Sequence, residues 1–219
     1  MSELLRAEGV AVEVDGAVLL SPSSLHLAAG ECVAVIGHNG AGKTTLLRAL
    51  AGRSRITSGT LQLRGVPVDE RRAEHRRELA ALIDPPTLYP DLTLRENLAL
   101  VEAAWSGEQI SGKGSQLVPG LGAGALEIFG IASLATRFAH ELSSGQRQLM
   151  SLAVTFARPA NVLLLDEPEQ RLDAERRGIV ADALLAARER GLGVVFASHD
   201  ETLIAEIADR RVAIEEAAA

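Results

Sequence analysis

Three features are scarce in this 219-residue sequence: cysteine, long apolar runs and surplus positive charge. The single cysteine, Cys32, excludes a disulfide within the chain, and its place in an apolar run predicts a core residue rather than a reactive thiol. No apolar run approaches the roughly 20 residues that span a bilayer, and no signal peptide is recognisable. The formal net charge of −7 argues against nucleic acid as a partner, because such a partner normally requires a basic face. We therefore expect a cytoplasmic protein that reaches a membrane only by docking on another protein.

Lysine is scarce as well. Lys43 and Lys113 are the only lysines, while arginine supplies the other basic side chains. Lys43 ends a glycine-rich loop, and a compact ammonium group differs chemically from the planar fork of an arginine. The lysine at this position therefore indicates a specific chemical requirement.

Short apolar segments alternate with amphipathic segments along most of the chain. Buried strands are predicted at residues 32–36, 79–83, 162–165 and 194–197, with a possible last strand at 211–214. Helices are predicted at residues 44–51, 92–104, 144–156, 174–190 and 202–208, and a helical pattern also returns from Ala125. Residues 4–27 and a hairpin at 58–68 predict an N-terminal antiparallel sheet. The alternation is typical of an α/β fold with a mostly parallel sheet, in which ligands bind at the carboxyl ends of the strands.

Two segments have no place in this alternation. Residues 69–78 interleave arginines with acidic side chains, which favours a solvated helix face and leaves an anion site as the alternative. Residues 106–124 are rich in glycine, which predicts a flexible loop.

A phosphate-binding loop lies between the strand at 32–36 and the helix that follows. The match to G-x-x-x-x-G-K-[ST] is complete, and its residues are Gly37, His38, Asn39, Gly40, Ala41, Gly42, Lys43 and Thr44. Glycines let backbone N–H groups converge on phosphate oxygens, and the helix N-terminus adds a positive field. We expect Lys43 to bridge the β- and γ-phosphates of a nucleotide and Thr44 to offer its hydroxyl to Mg²⁺.

Two further strand ends carry polar residues. Asp166 and Glu167 follow the strand at 162–165, where Asp166 is expected to orient Mg²⁺ and Glu167 to accept a proton from the attacking water. His199 follows the strand at 194–197 and is expected to hydrogen-bond the γ-phosphate and that water.

The segment Leu142-Ser143-Ser144-Gly145-Gln146 precedes another predicted helix. Read alone, Ser143 is a helix N-cap, and the alternative is a second helix N-terminus that binds phosphate. In this order and spacing, the motifs resemble those of the nucleotide-binding subunit of an ATP-binding cassette (ABC) transporter. The resemblance runs from about Leu4 to Ile214, and the Leu-Ser-x-Gly-Gln signature selects this family among phosphate-loop ATPases.

The resemblance implies an α/β P-loop NTPase core with a mostly parallel sheet, an N-terminal antiparallel β subdomain and a helical signature subdomain. It implies a single ABC ATPase domain over residues 1–219. Residues 1–84 and 158–219 would form a RecA-like core with the antiparallel part, and residues 85–157 the helical subdomain.

The resemblance also implies an ATPase that binds ATP and Mg²⁺ and works as a pair of cassettes. Ser143, Ser144, Gly145 and Gln146 of one copy would close over ATP held by residues 37–45 of the other, including Thr45. Asp173 would lie in the segment that crosses this interface. Hydrolysis would then drive a separate transmembrane permease, which holds the protein on the inner face of the cell membrane.

The chain departs from the family pattern at two expected site positions. Asp84 stands where a glutamine is usual, so we expect a Mg²⁺ ligand there that adds negative charge beside the γ-phosphate. Val14 stands where an aromatic ring usually stacks on adenine, so we expect a nucleotide-binding residue that discriminates weakly between bases.

A third departure is the bulky Arg171 just before Leu172-Asp173, where small residues are usual. Together with the end of the chain soon after Ile214, it favours a compact subunit of an exporter-like system. Two alternatives to a transporter subunit stay open: a soluble ABC ATPase that moves no solute, and a cassette that binds ATP with impaired hydrolysis.

Overall fold

The computed structural model describes residues 2–106 and 120–215. Its strands are β1 (Glu3–Val14), β2 (Ala17–Ala28), β3 (Cys32–Ile36), β4 (Ser58–Leu63), β5 (Val66–Pro67), β6 (Leu79–Leu82), β7 (Val162–Asp166), β8 (Gly193–Ala197) and β9 (Arg210–Ala213). Its α-helices are α1 (Lys43–Leu50), α2 (Ala73–Glu78), α3 (Leu94–Ser106), α4 (Ala125–Ile128), α5 (Ser144–Ala157), α6 (Ala174–Glu189) and α7 (Glu201–Ile207). Within these residues every helix is too short or too polar to span a bilayer. Most of the predicted glycine-rich loop, residues 107–119, lies outside the described residues.

The strands form two sheets. One is antiparallel, in the order β2-β1-β4-β5, and the other is parallel, in the order β6-β7-β8-β3-β9. The predicted α/β class with a parallel core sheet and an N-terminal antiparallel sheet is therefore confirmed. The parallel order brings the carboxyl ends of β3, β7 and β8 side by side, and these are the strand ends that carry the polar motifs.

The parallel sheet is buried on both faces, as its continuous apolar strands predict. One face packs with α1 and the antiparallel sheet through residues such as Val33, Val35, Val162, Leu164 and Val195. The other face packs with the helices through residues such as Ala34, Leu163, Leu165, Leu98, Phe129 and Met150. The helical segment thus shares an apolar core with the sheet, and its division from the core at residues 84 and 158 stays a prediction.

Cys32 belongs to this core. Its side chain is fully buried at the start of β3. Burial, with the nearby Asp209 carboxylate, raises the pKa of the Cys32 thiol to about 12. A thiol that stays protonated is a poor nucleophile, and the predicted core role is confirmed.

Helix α3 begins later than its apolar pattern predicts. The expected start at Leu92 is replaced by Leu94, because Thr93 caps the helix: Glu96 N–H donates to Thr93 Oγ1 at 3.3 Å, and Thr93 N–H donates to Glu96 Oε2 at 2.8 Å. This reciprocal pair is a capping box, which satisfies two backbone donors.

Two other segments are less helical than predicted. Helix α2 begins only at Ala73, because the Asp69 carboxylate accepts the Arg71 N–H at 2.9 Å and holds the preceding residues in a turn. Helix α4 has only 4 residues. Gly130, at φ +66°, follows it in a left-handed conformation, which is typical of a helix end.

Candidate active site

The phosphate loop connects β3 to α1 at the carboxyl edge of the parallel sheet. Gly42 has φ +103°, and a Cβ there would lie 2.6 Å from the Leu19 carbonyl oxygen, so the backbone of β2 leaves no room for a side chain. Helix α1 begins after Gly42 without a side-chain cap and without an acidic residue in its first turn. Its N-terminal N–H groups and positive field are therefore available to an anion.

Lys43 is folded back over this loop. Its Nζ donates to the carbonyl oxygens of Gly37 at 2.8 Å and His38 at 3.0 Å, and its side chain is buried. Burial lowers the pKa of Lys43, against the attraction of Glu167 and Asp166, which raises it. The ammonium group is thus held at the mouth of the loop by weak neutral acceptors, and an anionic phosphate would be a stronger partner.

Thr44 and Asp166 meet across the sheet edge. Thr44 Oγ1 donates to Asp166 Oδ2 at 2.6 Å. Burial raises the pKa of Asp166 and the adjacent Glu167 raises it further, while the Thr44 hydroxyl lowers it. Among the described residues, no three carboxylate, imidazole or thiol groups gather around one metal-sized position. The Thr44 hydroxyl and the Asp166 carboxylate are the two adjacent oxygen groups at this edge.

Glu167 occupies a strained turn directly after β7. Its φ is +46°, and its N–H donates to the Ala197 carbonyl at 2.9 Å, which ties the turn to β8. Gln170 Nε2 donates to Glu167 Oε2 at 2.7 Å, and His199 Nε2 lies 3.8 Å from Glu167 Oε1. The carboxylate of Glu167 therefore lies between the Gln170 amide and the His199 imidazole.

The turn that carries His199 is fixed by its neighbours. Ser198 Oγ accepts the Asp200 N–H at 2.9 Å and donates to Glu169 Oε1, while Asp200 caps α7 by accepting two N–H groups. Asp200 also forms an ion pair with Arg177 on α6 at 2.8 Å. Burial raises the pKa of Glu169, and its Oε2 is buried without a hydrogen-bond partner among the described residues.

The Leu-Ser-x-Gly-Gln segment starts α5. Ser143 is the N-cap: its Oγ accepts the Gln146 N–H at 3.3 Å, and Gln146 Oε1 accepts the Ser143 N–H at 2.9 Å. Ser143 and Ser144 are exposed, whereas Gly145 is buried against the Arg171 carbonyl, 3.0 Å from where a Cβ would lie. The N-cap reading of Ser143 is confirmed, and the hydroxyl proton of Ser143 is still available to an outside acceptor.

Three other predicted positions lie at the margins of this site. Asp173 caps α6 by accepting the Arg176 N–H at 3.0 Å, and its side chain is exposed. Asp84 follows β6, and its Oδ1 is paired with Arg48 Nη2 at 2.8 Å instead of standing as an isolated negative charge. Val14 ends β1 and is half exposed, on the hairpin whose second strand contacts Gly42.

Sequence reasoning missed the polar side chains that hold the motifs together. Gln148 Nε2, on the second turn of α5, donates to the carbonyl oxygens of Glu167 at 3.3 Å and Pro168 at 3.1 Å. Gln170 and Glu169 hold Glu167 and Ser198 as described above. A sequence signal for two of these side chains did exist. Glu169 and Gln170 directly precede Arg171, the position at which the chain departs from the family pattern.

Comparison with known proteins decides the family. The model of the ABC transporter family matches residues 20–170, which is more than half of the chain. The chain belongs to the ABC transporter family. It is one of the nucleotide-binding subunits of that family, which agrees with the site geometry and with the predicted motifs.

Relatives of this cassette include importers and an exporter by name. It is 36% identical over 217 residues to "Phosphate import ATP-binding protein PstB 2" of Natronomonas pharaonis, covering 96% of the cassette and 76% of that protein. It is 33% identical over 205 residues to "Putative 2-aminoethylphosphonate import ATP-binding protein PhnT" of Salmonella paratyphi A, covering 93% and 54%. It is 34% identical over 193 residues to "Nod factor export ATP-binding protein I" of Paraburkholderia xenovorans, covering 88% and 62%. Because these relatives include both import and export proteins by name, they do not support the expected exporter-like system in particular.

Solved structures agree on the fold. The cassette superposes on a "Structure of ATP binding subunit of ABC transporter" with a TM-score of 0.81 at 23% identity, covering 97% of the cassette and 86% of that chain. It superposes on a nucleotide-free ATP-binding cassette with a TM-score of 0.77 at 18% identity, covering 97% and 88%. The P-loop cassette fold is therefore confirmed.

Proposed function

We propose that this cassette binds and hydrolyses ATP with Mg²⁺ and powers a separate transmembrane permease. The observation that carries the proposal is the convergence of Lys43, Thr44, Asp166, Glu167 and His199 at one edge of the parallel sheet. Each of these side chains has a distinct role in phosphoryl transfer to water. Hydrogen bonds such as Thr44 to Asp166 and Gln170 to Glu167 hold them in place.

The donor atoms at this edge suit Mg²⁺. The Thr44 hydroxyl and the Asp166 carboxylate are hard oxygen ligands, already within 2.6 Å of each other. When bound, Mg²⁺ supplies positive charge to the phosphate oxygens. Because burial raises the pKa of Asp166, a cation beside that carboxylate would also relieve its desolvation. Asp84 is a candidate for a further ligand on the Arg48 side of the site.

Glu167 is the proposed general base. As a water oxygen attacks the γ-phosphorus, its proton passes to Glu167 and the bond to the β–γ bridging oxygen breaks. Gln170 fixes one carboxylate oxygen of Glu167, and the other, 3.8 Å from His199 Nε2, is the oxygen proposed to accept the proton. Lys43 would exchange its carbonyl partners for phosphate oxygens, and the loop from Gly37 to Thr45 would hold the rest of the triphosphate.

A second copy of the cassette would complete the site. The exposed Ser143 and Ser144 lie at the N-terminus of α5, a position that favours an anion from outside the chain. We propose that Ser143 to Gln146 bind the γ-phosphate held by the partner copy, with Asp173 at the edge of the interface.

The permease partner and the membrane location are proposed from the family and from the relatives' names. The surface supports a docking role: a groove of about 440 Å³ beside α3 exposes Tyr89 and Leu100 and continues to Trp105. Exposed apolar side chains in a groove are typical of protein contact sites. We propose that the cassette lies on the cytoplasmic face of the membrane, bound to that permease.

The test compares ATP hydrolysis by the wild type and Glu167→Gln. The variant is expected to lose activity by about 10²–10⁴-fold, as for removal of a general base, while it still binds ATP. Equal inactivity of both proteins, with and without the permease, would instead identify a cassette that only binds ATP.

A second experiment tests the pairing. ATP is expected to convert Glu167→Gln from monomer to dimer on a sizing column, and an added Ser143→Arg change is expected to abolish the dimer without weakening ATP binding. Ser133→Arg, at another exposed serine, is the matched control. A dimer that survives Ser143→Arg would contradict the proposed interface.

A further inference from the structure

The arginines at residues 69–78 line a cavity far from the phosphate loop. The cavity, of about 340 Å³, is bounded by the residues that follow α1, the β4–β5 hairpin, α2, the start of β6, the end of α3 and the residue after α5. Its charged and aromatic lining consists of Arg53, Glu70, His75, Arg76, Arg77, Trp105 and Arg158, and we call it the arginine cavity. Leu79 opens β6 and Ala51 follows the C-terminus of α1, so the arginine cavity lies at the amino edge of the parallel sheet. The full length of α1, about 12 Å, separates it from the phosphate loop.

Arg158 is the central cation of the arginine cavity. Its guanidinium stacks over the Trp105 ring, 4.4 Å from the centroid, and Nη2 donates to the carbonyl oxygens of Arg76 and of Leu79, the latter at 3.0 Å. Its Nε is buried without a hydrogen-bond partner in the described part of the chain. A buried guanidinium normally satisfies its donors. Backbone carbonyls therefore account for only part of the hydrogen-bonding capacity of Arg158.

The charge around Arg158 is positive rather than balanced. Arg53 repels it, and burial together with this repulsion lowers the pKa of Arg158 to about 10. Arg76 donates through Nη1 to the Glu70 and Arg71 carbonyl oxygens, not to a carboxylate. Within residues 2–106 and 120–215, none of Arg53, Arg76 and Arg158 has a carboxylate ion pair, and the lining offers one carboxylate, Glu70. Even with Arg77 left out, three guanidinium groups face a single acidic side chain in a protein whose net charge is −7.

His75 adds an imidazole ring to this lining. It is buried, and its Nδ1 accepts the Asp69 N–H at 2.8 Å. The arginine cavity therefore combines guanidinium forks, which donate hydrogen bonds, with an imidazole ring whose Nδ1 also lies 3.0 Å from the Asp69 carbonyl oxygen.

We propose that the arginine cavity is a binding site for the phosphate group of a small phosphorylated molecule or of inorganic phosphate. The surplus of two positive charges matches a phosphate dianion better than a single carboxylate, and planar guanidinium forks suit phosphate oxygens. The volume exceeds what one phosphate ion requires and reaches the lower end of small-molecule sites, about 300–1,000 Å³. The site is separate from the nucleotide site and does not depend on ATP hydrolysis.

Trp105 provides the readout, because it is the only tryptophan of the chain and its ring contacts Arg158. The experiment titrates the full chain with inorganic phosphate at constant ionic strength and follows Trp105 fluorescence, in the wild type and in Lys43→Ala, which removes the phosphate-loop ammonium. A saturable change of equal size in both is expected. Its absence up to about 10 mM phosphate, tenfold above a Kd of about 1 mM, would overturn the proposal.

Variants then locate the site. Arg53 is exposed, so Arg53→Gln should not disturb folding. The variant is expected to weaken phosphate binding by about tenfold. Arg158→Lys keeps the charge but loses the fork and is expected to weaken binding as well, with calorimetry replacing fluorescence because the ring contact changes. Arg95→Gln, at another exposed arginine, is the matched control and should bind as the wild type does. Equal affinity of all four proteins would refute the assignment.

A parallel titration with AMP in the Lys43→Ala background distinguishes the two sources of phosphate. Affinity equal to that of inorganic phosphate assigns the site to the phosphate group alone. Tighter binding of AMP than of inorganic phosphate assigns the arginine cavity to a phosphorylated small molecule. Binding of AMP that is insensitive to Arg53→Gln would count against the arginine cavity.

Discussion

Replacing Glu169 with glutamine is expected to stabilise the cassette in the absence of ATP. The Glu169 side chain is 7% exposed, Oε1 accepts the Ser198 hydroxyl, and Oε2 has no partner among the described residues. Burial is the main cause that raises the pKa of Glu169, with the carboxylates of Asp200 and Glu167 adding to it, while Ser198 and the backbone amide of Glu169 lower it. The fold therefore holds the Glu169 carboxyl group in a place that disfavours its charged form.

The size of the effect follows from the unpaired oxygen. Leaving a buried polar group unsatisfied costs about 1–3 kcal/mol, and more when the group is charged. Glutamine keeps the acceptor for Ser198 and replaces a charged unpaired atom with a neutral one. We expect a gain in unfolding free energy of about 1–2 kcal/mol. For a chain of this size, that raises Tm by roughly 2–8 °C.

The effect must also depend on pH. Because the pKa of folded Glu169 lies above the unfolded value, near 4.5, the carboxyl imposes no penalty below that pH. The penalty develops as pH rises through the folded pKa and is complete above it. The gain from Glu169→Gln is therefore expected to be small in acid and largest at alkaline pH.

Thermal unfolding measured at pH 8 and at the lowest pH that preserves cooperative unfolding tests this reasoning. Glu13→Gln, at an exposed glutamate, is the control and should change Tm little at either pH. A Tm at pH 8 that is equal to or below that of the wild type would refute the burial argument. A gain that is the same at both pH values would show that the charge is not its cause.

Three further predictions concern the proposed catalytic cycle. Asp84→Gln is expected to raise the ATPase rate or lower the Mg²⁺ concentration for half-maximal activity, because a carboxylate beside the γ-phosphate is removed. Loss of the exposed ion pair with Arg48 should lower the unfolding free energy by less than about 1 kcal/mol. If neither the ATPase rate nor the Mg²⁺ requirement changes, the prediction is contradicted. GTP is expected to bind within about tenfold of ATP, since Val14 offers no ring to stack on the base, and a competition titration with a much stronger preference for ATP would contradict it. Gln170→Ala is expected to lower kcat by about three- to tenfold at constant KM, because Glu167 loses a donor at 2.7 Å and both side chains are partly solvated. An unchanged kcat would remove Gln170 from the mechanism.

Strands β3, β6, β7 and β8 were predictable because each is a short apolar run next to glycine or polar residues. Segments such as Cys32–Ile36 and Val162–Asp166 are buried on both faces, and continuous apolar runs indicate such burial directly. The start of α3 was harder to predict, because local capping by Thr93 competes with the apolar period. Helix boundaries thus depend on single side-chain hydrogen bonds that periodicity does not register.

The meeting of the phosphate loop, Asp166, Glu167 and His199 at one sheet edge was likewise predictable, since each lies at or after the end of a buried apolar strand. The contacts between motifs were not. Asp84 with Arg48, and Glu169 with Ser198, join residues 36 and 29 positions apart, and such pairs depend on the packing of whole elements rather than on spacing. Asp84 illustrates the consequence, because sequence reasoning predicted an unneutralised charge where the structure places an arginine beside it.

The arrangement of α5 connects the two halves of the proposed site within one chain. Its N-cap is the exposed Ser143, which in the proposed dimer would meet the ATP held by the partner copy. Its second turn carries Gln148, whose amide donates to the carbonyl oxygens of Glu167 and Pro168. A shift of α5 on engaging ATP would therefore move the backbone that orients the proposed base. In that geometry closure of the dimer and positioning of Glu167 are one event, which gives hydrolysis a physical reason to await the second copy.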